Sequence, residues 1–195
     1  MENRLKTRDL ITIGIFTAVY LIVYIILSSV LFTPTLFIMM MPIGALLMAP
    51  VFHLFIARTQ KPGAITIMGF ICAFLVGFVV YGSIPIALGV FACVLLAEGA
   101  AYMGRYKSIF WNMVSYALMS VGWISVQAAN WFAKDWIREL TIASGYSAEY
   151  ADGVLAFATP LNFVLLIVAT VICSIISSLV AKRMLEKHFV RAGIA

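Results

Sequence analysis

Six apolar runs, separated by short stretches of charge, proline and glycine, dominate the chain. They cover about 10–32, 36–57, 64–81, 85–104, 109–132 and 154–181. A hydrocarbon core of about 30 Å takes about 20 apolar residues per crossing helix. The pattern therefore predicts an all-α membrane protein, a bundle of six transmembrane helices with both termini on the same side. The first run follows Arg4, Lys6 and Arg8 as the apolar part of a signal peptide would, but it is too long for one and no small-residue cleavage site closes it. It reads as a retained first span. No linker, composition shift or internal repeat divides the chain, so residues 1–195 read as a single integral membrane domain.

Composition sharpens this picture. Hydrophobic residues make up 64% and charged residues 11%, against roughly 45–50% and about 25% in soluble domains. Six spans leave no room for a nucleotide-binding domain, and the sequence contains no GxSxG, HExxH, phosphate loop or paired-carboxylate motif. The expectation is a protein that is not an enzyme and cannot hydrolyse ATP by itself. Cys72, Cys93 and Cys173 all lie in apolar runs without CxxC or Cys/His spacing and read as packing residues. No metal or other cofactor is predicted.

The formal net charge of +5 does not point to nucleic acid, because the basic residues are scattered between the spans. Their distribution reports topology. Arg4, Lys6, Arg8, Arg58, Lys61, Arg105, Lys107, Lys182, Arg183, Lys187 and Arg191 fall on one side, which is 11 of the 13 basic residues. Only Lys134 and Arg138 fall on the other, together with the acids Asp135, Glu139, Glu149 and Asp152. The positive-inside rule makes the basic side, with both termini, cytoplasmic.

Helices in lipid approach closely where small residues recur every fourth position. Gly69, Ala73 and Gly77 in the third span, Gly89, Cys93, Ala97 and Ala101 in the fourth, and Ala169, Cys173, Ser177 and Ala181 in the sixth predict packing within the bundle. In the first span Gly14 and Ala18 fit bundle packing and a partner's helix equally well. Pro34, Pro42 and Pro50 predict a bent second span, where Met39, Met40 and Met41 read as flexible gap fillers. Glu98 is an acid within a span and so a functional hypothesis by default. Structural pairing, with Arg105 two turns on or with a partner subunit, is preferred over proton coupling. His53 reads as interfacial.

The chemistry concentrates on the fifth span. Ser120, Trp123, Gln127, Asn130 and Trp131 share one helical stripe. Amides are costly in hydrocarbon unless they find partners, and two indoles beside two amides suit a small-molecule pocket with apolar walls and few oriented polar groups. The competing reading is an interfacial aromatic belt with interhelix hydrogen bonds. The longest connection, 133–153, carries Trp136, Tyr146 and Tyr150 and has the length of a lid loop. Tyr81 ends the third span, and Asn162 lies near the start of the sixth. The candidate substrate-binding residues are thus Tyr81, Trp123, Gln127, Asn130, Trp131, Trp136, Tyr146 and Asn162.

Six spans, cytoplasmic termini, a small-xxx-small motif opening the first span and aromatic and amide residues at the external end together resemble the S components of energy-coupling factor (ECF) transporters. The opening Leu5-Lys6-Thr7-Arg8-Asp9-Leu10-Ile11-Thr12-Ile13-Gly14-Ile15-Phe16-Thr17-Ala18 is similar to the Trep_Strep (MptE) group. The resemblance implies a multi-pass protein of the bacterial plasma membrane that captures a small molecule outside; the partly aromatic, weakly charged candidate pocket suggests a vitamin-like or heterocyclic compound or a similar micronutrient. The resemblance implies release inside once docked on a transmembrane coupling subunit and two ATPase subunits. It also implies that Gly14 and Ala18, with glycine in place of the first alanine, form the docking patch. Outside this resemblance stand a non-transport membrane subunit or assembly factor, and a proton-coupled carrier using Glu98.

Overall fold

The computed structural model describes residues 5–30 and 33–185. Arg4, Phe32, Lys187 and Arg191, used above as topology markers or a span limit, lie outside the described residues. Among the described residues the secondary structure is helical: α1 (Thr7–Val30), α2 (Pro34–Thr59), α3 (Ala64–Ala73), a π-helical turn (Phe74–Val80), α4 (Ile84–Met103), α5 (Ile109–Gly122), α6 (Ile124–Phe132), α7 (Lys134–Ala143), α8 (Ala148–Ala156) and α9 (Pro160–Met184). Among the described residues five stretches are long and apolar enough to cross a bilayer: Thr7–Ser29, Pro34–Thr59, Ile84–Met103, Ile109–Phe132 and Pro160–Met184. The third apolar run forms a shorter helix, Ala64–Val80.

Three helices begin alike. Thr33, Ser83 and Thr159 each accept a hydrogen bond from a backbone N–H three residues on, Leu36 at 3.4 Å, Ile86 at 3.5 Å and Asn162 at 3.2 Å. Pro34, Pro85 and Pro160 follow in the first turn, where a missing N–H costs nothing. Pro34 is therefore a helix start and not a bend. Pro42 and Pro50 do lie inside α2, which continues unbroken through both. In each case the carbonyl five residues earlier accepts from a neighbouring helix. Gln127 Nε2 donates to the Phe37 carbonyl at 3.0 Å, and Tyr116 and Ser177 both donate to the Ala45 carbonyl at 2.7 Å. These bonds fall one residue before the Ile38 and Leu46 carbonyls that the prolines leave without their usual N–H, and they tie α2 to α5, α6 and α9.

Small residues set the other contacts. A Cβ on Gly77, within the π-helical turn, would stand 2.5 Å from the backbone of Ala87, and one on Gly122 would stand 2.7 Å from Cys93. The turn thus lies against α4, and α5 against α4. By contrast, only 17% of the apolar window in α1 is buried, against 50% for Ile109–Phe132. α1 is the peripheral helix. Exposed Ile11, Ile15, Ile22, Leu88, Leu96 and Val164 give the exterior the apolar surface that hydrocarbon, not water, solvates.

The basic end is closed by side chains. Lys61 pairs with Asp9, joining α1 to the α2–α3 turn. Glu98 accepts from the Gly63 N–H at 3.1 Å, the Thr66 N–H at 2.9 Å, the Thr66 hydroxyl at 3.1 Å and the Tyr106 hydroxyl. It caps the start of α3, where a carboxylate meets open N–H groups and the positive end of the helix dipole; Arg105 is not among its partners. His53, expected at the interface, is 3% exposed and packs on Phe52 and Tyr116.

The long connection expected as a loop is instead α7 and α8, folded as a helical hairpin across the turn at Gly145, whose φ is +93°. α7 has apolar Ile137 and Leu140 with Thr141 on one side, at the spacing of one helical face, and this side turns toward the bundle.

Candidate functional site

The hairpin end encloses a cavity of about 250 Å³ lined from α1, α2, the end of the π-helical turn, α6, α7 and α8. Its polar centre is on α6. Gln127 and Asn130 are 1% and 3% exposed, so neither amide faces lipid. Asn130 Nδ2 donates to the Gln127 side-chain carbonyl at 2.8 Å and to the Gln127 backbone carbonyl at 3.0 Å, while Gln127 Nε2 holds Phe37. These bonds fix both amide planes before any ligand arrives, and fixed polar groups bind at a lower ordering cost.

The hairpin supplies the roof. Arg138 makes a two-pronged pair with Asp152, Nε to Oδ1 at 2.6 Å and Nη2 to Oδ2 at 3.1 Å, clamping α7 to α8 in the planar geometry that guanidinium and carboxylate share. The guanidinium holds the Asp152 carboxyl below its ordinary range. Tyr146 and Tyr150 stack with centroids 4.9 Å apart, and burial raises the Tyr150 phenol above its usual range. Tyr81 enters from the end of the π-helical turn. No carboxylate lines the cavity among the described residues; hydroxyls, amides, phenols and the Arg138 guanidinium do. Such a lining can orient a flat molecule carrying hydrogen-bond acceptors or a negative group.

Of the residues singled out by sequence, the structure brings Tyr81, Gln127, Asn130 and Tyr146 together on this cavity. Four others stand elsewhere. Trp123 lies at the break between α5 and α6 and faces deeper, stacked on Tyr24 at 5.2 Å and on Tyr20 at 6.3 Å. With Met40, Met41, Tyr116 and Ser120 it borders a separate void of only about 40 Å³. Trp131 turns to α9, donating to the Thr159 carbonyl at 2.7 Å and packing on Phe163. Asn162 donates to the Phe157 carbonyl at 2.8 Å. Trp136 is 39% exposed and outside the lining. A stripe shared on a helical wheel spans several turns in depth and meets different neighbours along its length, which is why Ser120, Trp123, Gln127, Asn130 and Trp131 part company. Phe37, Arg138 and Tyr150 complete the cavity without having been assigned to it. The Ile137, Leu140 and Thr141 spacing was the signal that could have marked 134–143 as a helix facing inward.

A family model described as a hypothetical bacterial integral membrane protein (Trep_Strep) matches residues 7–191. The chain belongs to the Trep_Strep family. No curated protein and no solved structure matches it. The Trep_Strep match begins at the first residue of α1 and extends past the end of α9, so every wall of the cavity lies within it. In this Trep_Strep chain Gly14 and Ala18 are both exposed on α1, and nothing lies within 4 Å of a Cβ placed on Gly14. Of the two readings open for this pair, packing inside the bundle is therefore not what the fold uses them for.

Proposed function

We propose that this protein is the substrate-binding S component of an energy-coupling factor importer in the bacterial plasma membrane. It captures a compact small molecule at the hairpin end and releases it inside when docked on a coupling subunit and two ATPases. The observation that carries the reading is the cavity under the α7–α8 hairpin, with two nearly fully buried, pre-oriented amides in its wall. About 250 Å³ is just below the roughly 300–1,000 Å³ of sites for drug-sized ligands, which fits a vitamin-sized heterocycle or an acidic metabolite. Its ring would lie along Tyr146, a donor would face Oδ1 of Asn130, whose two N–H groups are held by Gln127, and an acceptor would face the remaining N–H groups of Gln127 and Arg138.

Orientation follows from charge. Lys6, Arg8, Arg58, Lys61, Arg105, Lys107, Lys182 and Arg183 cluster at the end away from the hairpin, and by the positive-inside rule this supports a cytoplasmic position for that end. The shorter helix Ala64–Val80 is then the sixth crossing. Gly14 and Ala18 offer a partner helix close approach on the open face of α1.

The test is co-purification from the native membrane followed by mass spectrometry, then thermal unfolding of purified protein with each compound found. A true ligand raises the midpoint in proportion to the logarithm of its concentration, and Asn130→Leu removes the rise. Uptake by cells that lack the ATPases, or no ligand-dependent shift with any recovered compound, would defeat the proposal.

A further inference from the structure

A second cavity, also of about 250 Å³, opens at the basic end between α2, the α4–α5 turn, α5 and α9. His53 and Asn112 form its inner wall and are 3% and 8% exposed. His53 Nε2 and Asn112 Oδ1 have no hydrogen-bond partner among the described residues. The Asn112 amide is not free to turn and repair this, because its Nδ2 donates to the Tyr106 carbonyl at 3.3 Å. A buried polar atom left unsatisfied is destabilising, and two on one small wall ask for a common partner.

The remaining lining sets its charge. Gln60, Lys107 and Lys182 stand around the opening, and no carboxylate belongs to it among the described residues. The nearby acid, Glu98, is already taken by four donors and is held by the hydroxyl of Tyr106. The site thus offers cationic and N–H donors together with one fixed acceptor.

We infer that this basic-end cavity binds a phosphate ester that carries a neighbouring hydroxyl. The phosphate faces Lys107 and the His53 imidazole in its Nε2–H form, and the hydroxyl donates to Asn112 Oδ1. A phosphoglycerol group has this chemistry, either as the headgroup of an anionic lipid in the adjoining leaflet or as a free glycerophosphate. Basic pockets between helices at this membrane level are where anionic headgroups lodge. The inference concerns the opposite end from the hairpin cavity and stands whether or not the transport reading does.

The experiment uses the full chain in nanodiscs of phosphatidylcholine, with and without phosphatidylglycerol. Native mass spectrometry reads retained lipid, and thermal unfolding reads the effect of added glycerol 3-phosphate. Selective retention of phosphatidylglycerol identifies the lipid as the source; stabilisation by glycerol 3-phosphate in phosphatidylcholine alone identifies the soluble anion. Either effect falls at least tenfold in Lys107→Gln, an exposed position that does not threaten folding, and in Asn112→Leu. Arg183→Gln, at the same end but outside the cavity, leaves it unchanged. Absence of both effects in the unaltered protein, or an equal loss in Arg183→Gln from general charge attraction, overturns the inference.

Discussion

Asn130 and Gln127 stand one turn apart on α6 and are joined side chain to side chain at 2.8 Å, while Gln127 reaches across to the Phe37 carbonyl on α2 at 3.0 Å. The pair therefore lines the cavity and braces a proline-containing helix at the same time. Gln127→Leu removes both functions. Loss of ligand binding is expected together with a stability loss of about 1–3 kcal/mol, the cost of unpairing a buried group. Asn130→Leu leaves the bond to Phe37 and should lose binding with the smaller change in unfolding midpoint. Equal losses of stability in the two variants would contradict this division.

Trp131 belongs to the packing of α6 on α9, not to the cavity wall. Trp131→Ala is expected to lower the thermal midpoint while the dissociation constant of a bound ligand, measured on the folded fraction, changes less than with Asn130→Leu. A selective loss of binding would return Trp131 to the site.

The Arg138–Asp152 clamp predicts a particular pH response. A carboxyl whose pKa is lowered in the folded state lends stability above its ordinary range of about 3.9, and that contribution is withdrawn only as pH falls through the lowered value. The hairpin should therefore show the same hydrogen-exchange protection from neutral pH down to about pH 4 and lose it below. Asp152→Asn should raise exchange in α7 and α8 several-fold at neutral pH and leave α2 and α9 protected.

Glycines on the two sides of the bundle should behave oppositely. Gly77→Ala drives a Cβ into the backbone of Ala87 and is expected to cost about 1–3 kcal/mol. Gly14→Leu meets open space, so the isolated protein should unfold at an unchanged temperature while co-purification with a coupling subunit is lost. A clear drop in the midpoint for Gly14→Leu would show that α1 packs inward.

Glu98 distinguishes a cap from a proton carrier. Glu98→Ala strips acceptors from two backbone N–H groups, a threonine and a tyrosine, and should destabilise the protein by about 1–3 kcal/mol or more. Glu98→Gln keeps one acceptor and, on the proposed transport role, should retain uptake. Abolished uptake in a well-folded Glu98→Gln protein would favour proton coupling.

The apolar runs made the spans legible, since five of the six are helices of crossing length and the sixth is a helix cut short. The inward turn of Gln127 and Asn130 was legible too, because an amide has nowhere comfortable in hydrocarbon. Trp123, Trp131 and Asn162 lie away from the cavity for the complementary reason. A helical wheel gives direction but not depth, and an indole is content to pack against whichever helix meets it. The hairpin was missed because its first helix is amphipathic and charged, so 133–153 looked like a loop beside the apolar spans. Arg138 was counted for topology alone, and its partner Asp152 lies 14 residues away across a turn that sequence does not pair.

The bracing of Phe37 by Gln127 also bears on how the site could be retuned. A side chain that steadies a proline-weakened helix is not at liberty to change with the cargo. No bond of that kind is asked of Arg138, Tyr146 and Tyr150, which touch the cavity from a hairpin whose two helices are clamped to each other by the Arg138–Asp152 pair. On the proposed binding role, differences in ligand among Trep_Strep proteins should accordingly be written on α7 and α8, with the floor left as it is.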